Sequence, residues 1–208
     1  MSIKDIYAAV LEFDSDQVVK LVKDEISRGT EISVILNDGL IGAMDEVGRL
    51  FSAGDLFVPE MLLAAQAMKA GLEELKPHMK QGDSRTKGTV VIGTVKGDLH
   101  DIGKNLVAMM MEGAGFEVID LGVDVETERF IQTAQEHNAD MICMSALLTT
   151  TMPEMGVTVE TLKEKGLNFK TMVGGAPVTK EFADQIGADG YSPDAPSAVE
   201  MARLLISA

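Results

Sequence analysis

The chain is short of the residue types that several functions would need. One of its 208 residues is cysteine, Cys143, so no internal disulfide framework is available and a reducing compartment suits it. It has no apolar run of about 18 residues and no basic stretch leading into an apolar one at the N-terminus, which points to a cytoplasmic protein. Lys and Arg number 18 against 33 Asp and Glu, and the formal net charge of -15 repels phosphate backbones and anionic lipids. No nucleic-acid partner and no membrane partner is therefore expected. Histidine is also scarce, with three in the chain. His78 and His137 sit in polar surroundings typical of helix ends, which leaves His100, inside "GDLHDIGKN" (97 to 105), as the one that needs a reason.

With 46% apolar content the chain is an ordinary globular protein that folds without staples. Up to about residue 78 its apolar residues recur at helical spacing. "IKDIYAAVLEF" carries one stripe, and "SDQVVKLVKDEI" carries a second behind an N-cap candidate at Ser15. A third helix is expected from 32 to about 51, and a fourth from 59 to 75 with Pro59 in its first turn. These four make a small bundle, residues 1–80. The polar stretch "PHMKQGDSRTKG" reads as a linker, bounded here as 81–88, before a second domain over 89–208.

In that second domain the rhythm changes. A short apolar, β-branched run at 89–95 and further runs at 116–122, 140–146, 169–175 and, more weakly, 188–192 alternate with helical stretches. Strands buried on both faces and alternating with helices indicate an open parallel α/β sheet of five strands, whose ligand site lies at the carboxyl ends of the strands. The unusual residues fall there: "GDLHD", "SALLTTT", "GGAP" and "YSPDA". The fourteen methionines, Met109, Met110 and Met111 among them, stand at helical spacing and read as adaptable core filling.

Three readings of His100 compete. A phosphate loop fails because the spacing before Gly103-Lys104 is one residue too long, Asn105 replaces the magnesium-binding hydroxyl, and Asp98 and Asp101 would face the phosphates. A hydrolase triad lacks its G-x-S-x-G elbow, and Cys143 falls inside a strand. As a metal ligand His100 makes chemical sense, because residues i and i+2 of an extended loop point the same way and Asp98 can orient the imidazole. No further ligand stands at zinc-like spacing, so the metal should arrive already chelated.

D-x-H-x-x-G at 98–103, S-x-L at 145–147 and G-G at 174–175 resemble the signature of cobalamin-dependent methyltransferases and mutases. The helical half, with "MDEVGRLFSAGDLFVPEMLLAAQAMK", is similar to the four-helix cap that precedes the cobalamin domain in methionine synthase and in the small corrinoid proteins of anaerobic one-carbon metabolism. The resemblance implies a flavodoxin-like (Rossmann-like) strand order with the corrin flat on the carboxyl edge, and His100 as the lower axial ligand of cobalt. A corrin supplies four equatorial nitrogens, so one histidine suffices. The resemblance further implies a ligand relay from His100 through Asp98 to the hydroxyl of Thr151, where methionine synthase has serine and the extra methyl restricts the rotamers. It places the cofactor on Gly97, Leu99, Asp101, Ile102 and Gly103 of the first loop and on Ser145, Leu147 and Thr149 of the second. Gly103, Ser145, Gly174, Gly175 and Ala176 would wall a slot for the nucleotide tail, with Tyr191, Asp194 and Ala195 at its ribose and phosphate end. Phe51 and Val58 of the cap would shield the upper axial face.

Within that family a methyl carrier fits best, since the chain has a cap but no substrate barrel for a mutase and no DNA-binding module for a regulator. The resemblance implies that such a carrier is not catalytic alone. A substrate methyltransferase loads it in the Co(I) state, a second methyltransferase with tetrahydrofolate or a thiol as acceptor unloads it from methyl-Co(III), and a reductive activating protein maintains it. The donor expected is an aryl methyl ether in an O-demethylase system of an anaerobe, with methylamine or methanol systems as alternatives. The linker is expected to act as a hinge.

Overall fold

Buried apolar stripes at helical spacing set the first half of the protein, shown by a computed structural model that describes residues 2–78 and 87–207. Helix α1 (Ile3–Leu11) buries Ile6, Ala9 and Val10, and α2 (Ser15–Ser27) buries Val18, Leu21 and Val22. The N-cap of α2 is Asp14 rather than Ser15: the Asp14 carboxylate accepts the Gln17 N–H at 2.9 Å, and Ser15 is the first helical residue. The third helix is not uniform. It runs as α3 (Ile32–Val34), a π-helical segment (Ile35–Ile41) and α4 (Gly42–Ala53), with the Gly42 N–H bonded to the Asn37 carbonyl five residues back. The Asn37 side-chain amide donates to the Ser33 carbonyl at 2.8 Å, so a side chain competes for the acceptor that an α-helical turn would use. Helix α5 (Val58–Leu75) opens as Pro59 suggests, with Glu60 accepting the Phe57 N–H at 2.7 Å.

The second half contains five parallel strands, β1 (Thr89–Thr94), β2 (Glu117–Asp120), β3 (Met141–Ser145), β4 (Lys170–Gly174) and β5 (Gly190–Ser192), in the order β2-β1-β3-β4-β5. Between and after them run α6 (Ile102–Gly113), α7 (Thr127–Glu136), α8 (Pro153–Glu164), α9 (Lys180–Ile186) and α10 (Ala195–Ser207). Each strand starts or ends one or two residues inside the apolar run that signals it. Strands β1, β3 and β4 are buried along nearly their whole length, whereas the edge strand β2 is exposed at both ends. Val91, Ile142, Met144 and Val173 belong to one core with Phe130, Ile131, Met155, Val159 and Ala183 of α7, α8 and α9. Met110, Met111, Met141, Met144, Met155 and Met172 are buried, as core filling requires.

The strand order is the flavodoxin-like one, and the chain reverses direction across the sheet between β1 and β3. That switch point opens a crevice at the strands' carboxyl ends. One register row lies along this edge, pairing Thr94 with Ser145, Ser145 with Gly174 and Gly174 with Ser192, all small or hydroxylic.

By contacts the described residues fall into two units. One takes in residues up to 78 with Glu112–Gly115, and the other takes in 87–111 and 116–207. The expected linker and its hinge lie largely outside the described residues, which include only Lys87 and Gly88 of 81–88. Among the described residues no helix is long and apolar enough to cross a membrane.

Candidate functional site

The loop between β1 and α6 brings the expected triad together. Asp98 is fully buried, and its Oδ1 accepts from His100 Nδ1 at 2.7 Å and from the His100 N–H at 3.1 Å. Its Oδ2 accepts from the Thr151 hydroxyl at 2.7 Å and from the Leu147 and Leu148 N–H groups at 2.8 and 3.2 Å. Burial opposes the charged form of this carboxyl, but the bonds from Thr151, Leu147 and His100 outweigh it and hold the group well below the usual carboxylate range. A permanent acceptor therefore faces Nδ1, which puts the imidazole proton on Nδ1 and leaves the Nε2 lone pair available. The His100 side chain is 50% exposed, so that lone pair can be reached. Thr151, nearly buried, also lies 2.9 Å from the Leu148 carbonyl, so its single proton has two acceptors.

Around the imidazole the surface is apolar and open. Leu99 is 71% and Ile102 82% exposed, and Leu147 and Leu148 are also exposed. Exposed large side chains grouped beside a free ligand atom mark a surface meant to be covered. Gly97 turns the chain at φ 78°, and Asp101 stands before α6, its carboxylate accepting from Asn105 Nδ2 at 3.1 Å. An added Cβ at Gly103 would meet nothing within 4 Å.

The other end of the edge is bare. Ser145 and Thr149 make no side-chain hydrogen bond among the described residues, which leaves their hydroxyls for a ligand. Gly175 has φ 129°, and a Cβ there would lie 1.9 Å from the Ala146 carbonyl oxygen, so only glycine fits. Gly174 is also tight, with an added Cβ 3.0 Å from the Ser192 carbonyl oxygen, and Ala176 is exposed beside them. Tyr191 is half-buried in β5. Asp194 uses its Oδ1 to cap α10, accepting the Ser197 N–H at 2.8 Å, and Ala195 is buried as the first residue of that helix. Phe51 lies near the end of α4 and Val58 opens α5, so both belong to the helical unit.

Thr94 and Leu148 were not singled out from the sequence, and Lys104 only as the lysine of the rejected phosphate loop. Thr94 donates its hydroxyl to the His100 carbonyl at 2.8 Å, and the Leu148 N–H joins those on Asp98. Lys104 is buried, its ammonium 2.5 Å from Asp120 Oδ2 and 2.6 Å from Asn105 Oδ1. A cation spent in this way ties the first turn of α6 to the end of β2 and is not free to meet a phosphate. The polar and β-adjacent position of Thr94 is the one sequence signal that could have marked it.

Chemically the edge offers one imidazole nitrogen, oriented by a buried anion, beside an apolar floor and a side-chain-free slot. Among the described residues no group of three or more His, Cys, Asp or Glu is placed to hold a metal ion. The arrangement fits a planar chelate that brings its own equatorial donors and needs one axial ligand.

Family models described as "B12 binding domain" match residues 88–200 and, separately, residues 2–76. The chain is 46% identical to dimethylamine corrinoid protein 1 of Methanosarcina acetivorans, over 99% of this chain and 97% of that one. It is 44% identical to trimethylamine corrinoid protein 1 of the same organism, over 95% and 94%. Among solved structures it resembles the methanol:cobalamin methyltransferase complex of Methanosarcina barkeri, with TM-score 0.89 and 33% identity, over 99% of this chain and 79% of that one. It also resembles a cobalamin-binding protein of Desulfitobacterium hafniense, with TM-score 0.81 and 29% identity, over 98% of each chain.

Proposed function

The chain belongs to the B12-binding family of corrinoid proteins, and from that premise we propose that it is the methyl carrier of a methylamine methyltransferase system. The observation that carries this reading is the Asp98 carboxylate, which holds His100 Nδ1 at 2.7 Å and leaves one nitrogen for an axial bond. Bound cobalamin supplies a cobalt that can take a methyl group from one enzyme's substrate and yield it to another's. The chain's own residues do the rest. His100 would ligate the cobalt, with Asp98 fixing its tautomer and Thr151 steadying Asp98. Leu99, Ile102 and Leu147 present an apolar floor that keeps water from it. Gly174, Gly175 and Ala176 leave room for the tail, with Ser145 and Thr149 as hydrogen-bond partners and Tyr191, Asp194 and Ala195 toward its far end. For Phe51 and Val58 the shielding role stays what the resemblance implies.

The donor is a methylamine rather than an aryl methyl ether. The relatives named above serve dimethylamine and trimethylamine, and the solved complex serves methanol, so the O-demethylase expectation gives way to its alternative. A substrate methyltransferase loads the carrier, a second one with tetrahydrofolate or thiol acceptor unloads it, and a reductive activating protein restores it. The test is to reconstitute the protein with cobalamin, reduce it, and mix it with dimethylamine, trimethylamine, methanol and aryl-ether methyltransferases in turn, each with its substrate. Rapid change in the cobalt chromophore with a methylamine enzyme is the expected result. Response to the aryl-ether enzyme alone would overturn the donor assignment.

A further inference from the structure

The loop that carries His100 is held from two sides. From the segment after β3, the Thr151 hydroxyl and the Leu147 and Leu148 N–H groups bond the Asp98 carboxylate. From the opposite side, where β2 pairs with β1 and its exit turn runs alongside, bonds reach the main chain of the same loop. The Asp124 Oδ1 accepts the Gly97 N–H at 2.7 Å, and the Asp124 N–H donates to the Asp98 carbonyl at 3.0 Å. One residue thus grips both ends of the 97–98 step. Around it the Val125 N–H donates to the Thr94 carbonyl and the Thr94 N–H to the Gly122 carbonyl, each at about the ordinary amide distance.

Asp124 holds this position in an uncommon conformation. Its φ is 54°, the left-handed region, where non-glycine residues are rare and Asp and Asn are the usual exceptions. Such a conformation persists where its surroundings over-determine it, and it is a pointer to function. Here the left-handed turn aims both the N–H and the carboxylate of residue 124 at the loop. Gly97, the partner, is itself left-handed at φ 78°, and a Cβ there would make only ordinary contact with Thr151, so its glycine serves the turn and not space. Asp124 touches neither the imidazole nor any reacting atom.

We infer that Asp124 is a positioning residue for the axial ligand, fixing the main chain beneath His100 so that Nε2 stands at one height above the sheet edge. This rests on the assignment of His100 to cobalt.

The test uses the full chain with two substitutions. Asp124→Gly keeps the left-handed turn and removes the carboxylate, whereas Asp124→Asn keeps the turn and a neutral acceptor. In the cobalamin-free protein, amide hydrogen exchange at Gly97 reports the grip directly. Loss of one charge-assisted bond should speed it roughly tenfold in Asp124→Gly and about threefold in Asp124→Asn. In the Co(II) cobalamin-loaded protein, electron paramagnetic resonance with nitrogen-15 histidine reports ligation. The share of signal split by a histidine nitrogen should fall by about half or more in Asp124→Gly and stay close to wild type in Asp124→Asn. A turn that served stability alone would move exchange without moving ligation, and that result overturns the inference. Should Asp124→Gly fail to fold, Asp124→Asn decides: Gly97 exchange equal to wild type overturns the grip. A wild-type spectrum with no histidine splitting overturns the assignment of His100 and this inference with it, whereas histidine splitting retained in Asp124→Gly overturns this inference alone.

Discussion

The two ends of the sheet's carboxyl edge are built on opposite plans. Between β1 and β3 one buried carboxylate is saturated, receiving five hydrogen bonds, from Thr151, Leu147, Leu148 and twice from His100. After β4 the chain contributes almost nothing but backbone, with Gly174 and Gly175 packed against the carbonyls of Ser192 and Ala146. The first plan fixes an atom in space, and the second keeps a volume clear. Holding a ligand nitrogen needs preorganised partners, while admitting a long tail needs the absence of side chains.

Substitutions can break either plan, and the bare end should be the more fragile. Gly175→Ala drives a Cβ into the Ala146 carbonyl at 1.9 Å and strains a left-handed backbone, so we expect a loss of about 3 kcal/mol or more, read by urea unfolding of the cobalamin-free protein. A stable Gly175→Ala would mean that the β3 and β4 ends can part.

Asp98→Ala should cost about 2–3 kcal/mol, since it strands buried donors, and should abolish histidine ligation in the Co(II) spectrum. Its pH dependence has a definite sign. The folded carboxyl is held below its unfolded value, so the unfolded chain takes up the proton first as pH falls. The stabilisation is therefore present at neutral pH and lost on acidification below about pH 4. The gap in melting temperature between wild type and Asp98→Ala should narrow from pH 7 to pH 3 in the cobalamin-free protein, and a constant gap would place the effect in packing.

Smaller effects sharpen the contrast. Thr151→Val keeps the shape and removes one bond to Asp98, for an expected loss of about 1 kcal/mol and a weaker histidine splitting. Gly103→Ala meets open space inside α6, so the cobalamin-free protein should gain up to about 1 kcal/mol from helix propensity. If position 103 borders the cofactor, the same variant should retain cobalamin less well on gel filtration.

Much of this was legible in the sequence, for physical reasons that differ by residue. Strands β1, β3 and β4 were marked by short apolar runs because they are buried along nearly their whole length, β5 only weakly, and the spacing of Asp98 and His100 foretold their pairing because an extended loop repeats every two residues. Thr151 came from resemblance, since nothing local links positions 53 apart. The π-helical segment at Ile35–Ile41 was not read from the sequence, because the apolar spacing does not separate it from an α-helix and the Asn37 side-chain bond to the Ser33 carbonyl is seen only in the structure. Asp14 and Ser15 are adjacent capping types, and only the observed bond to Gln17 separates them. Asp124 was invisible for a different reason: its role depends on the β2-β1 pairing and on a positive φ, and neither is written in residue type.

Three of the five donors on Asp98 are main-chain amides, of His100, Leu147 and Leu148. Short of proline, no substitution of those side chains deletes an amide N–H. The negative charge beneath the histidine is therefore insulated from mutational drift at 147 and 148, whose exposed side chains remain free to be exchanged. A lineage can retailor the apolar floor to a different corrinoid while inheriting the anchor unchanged.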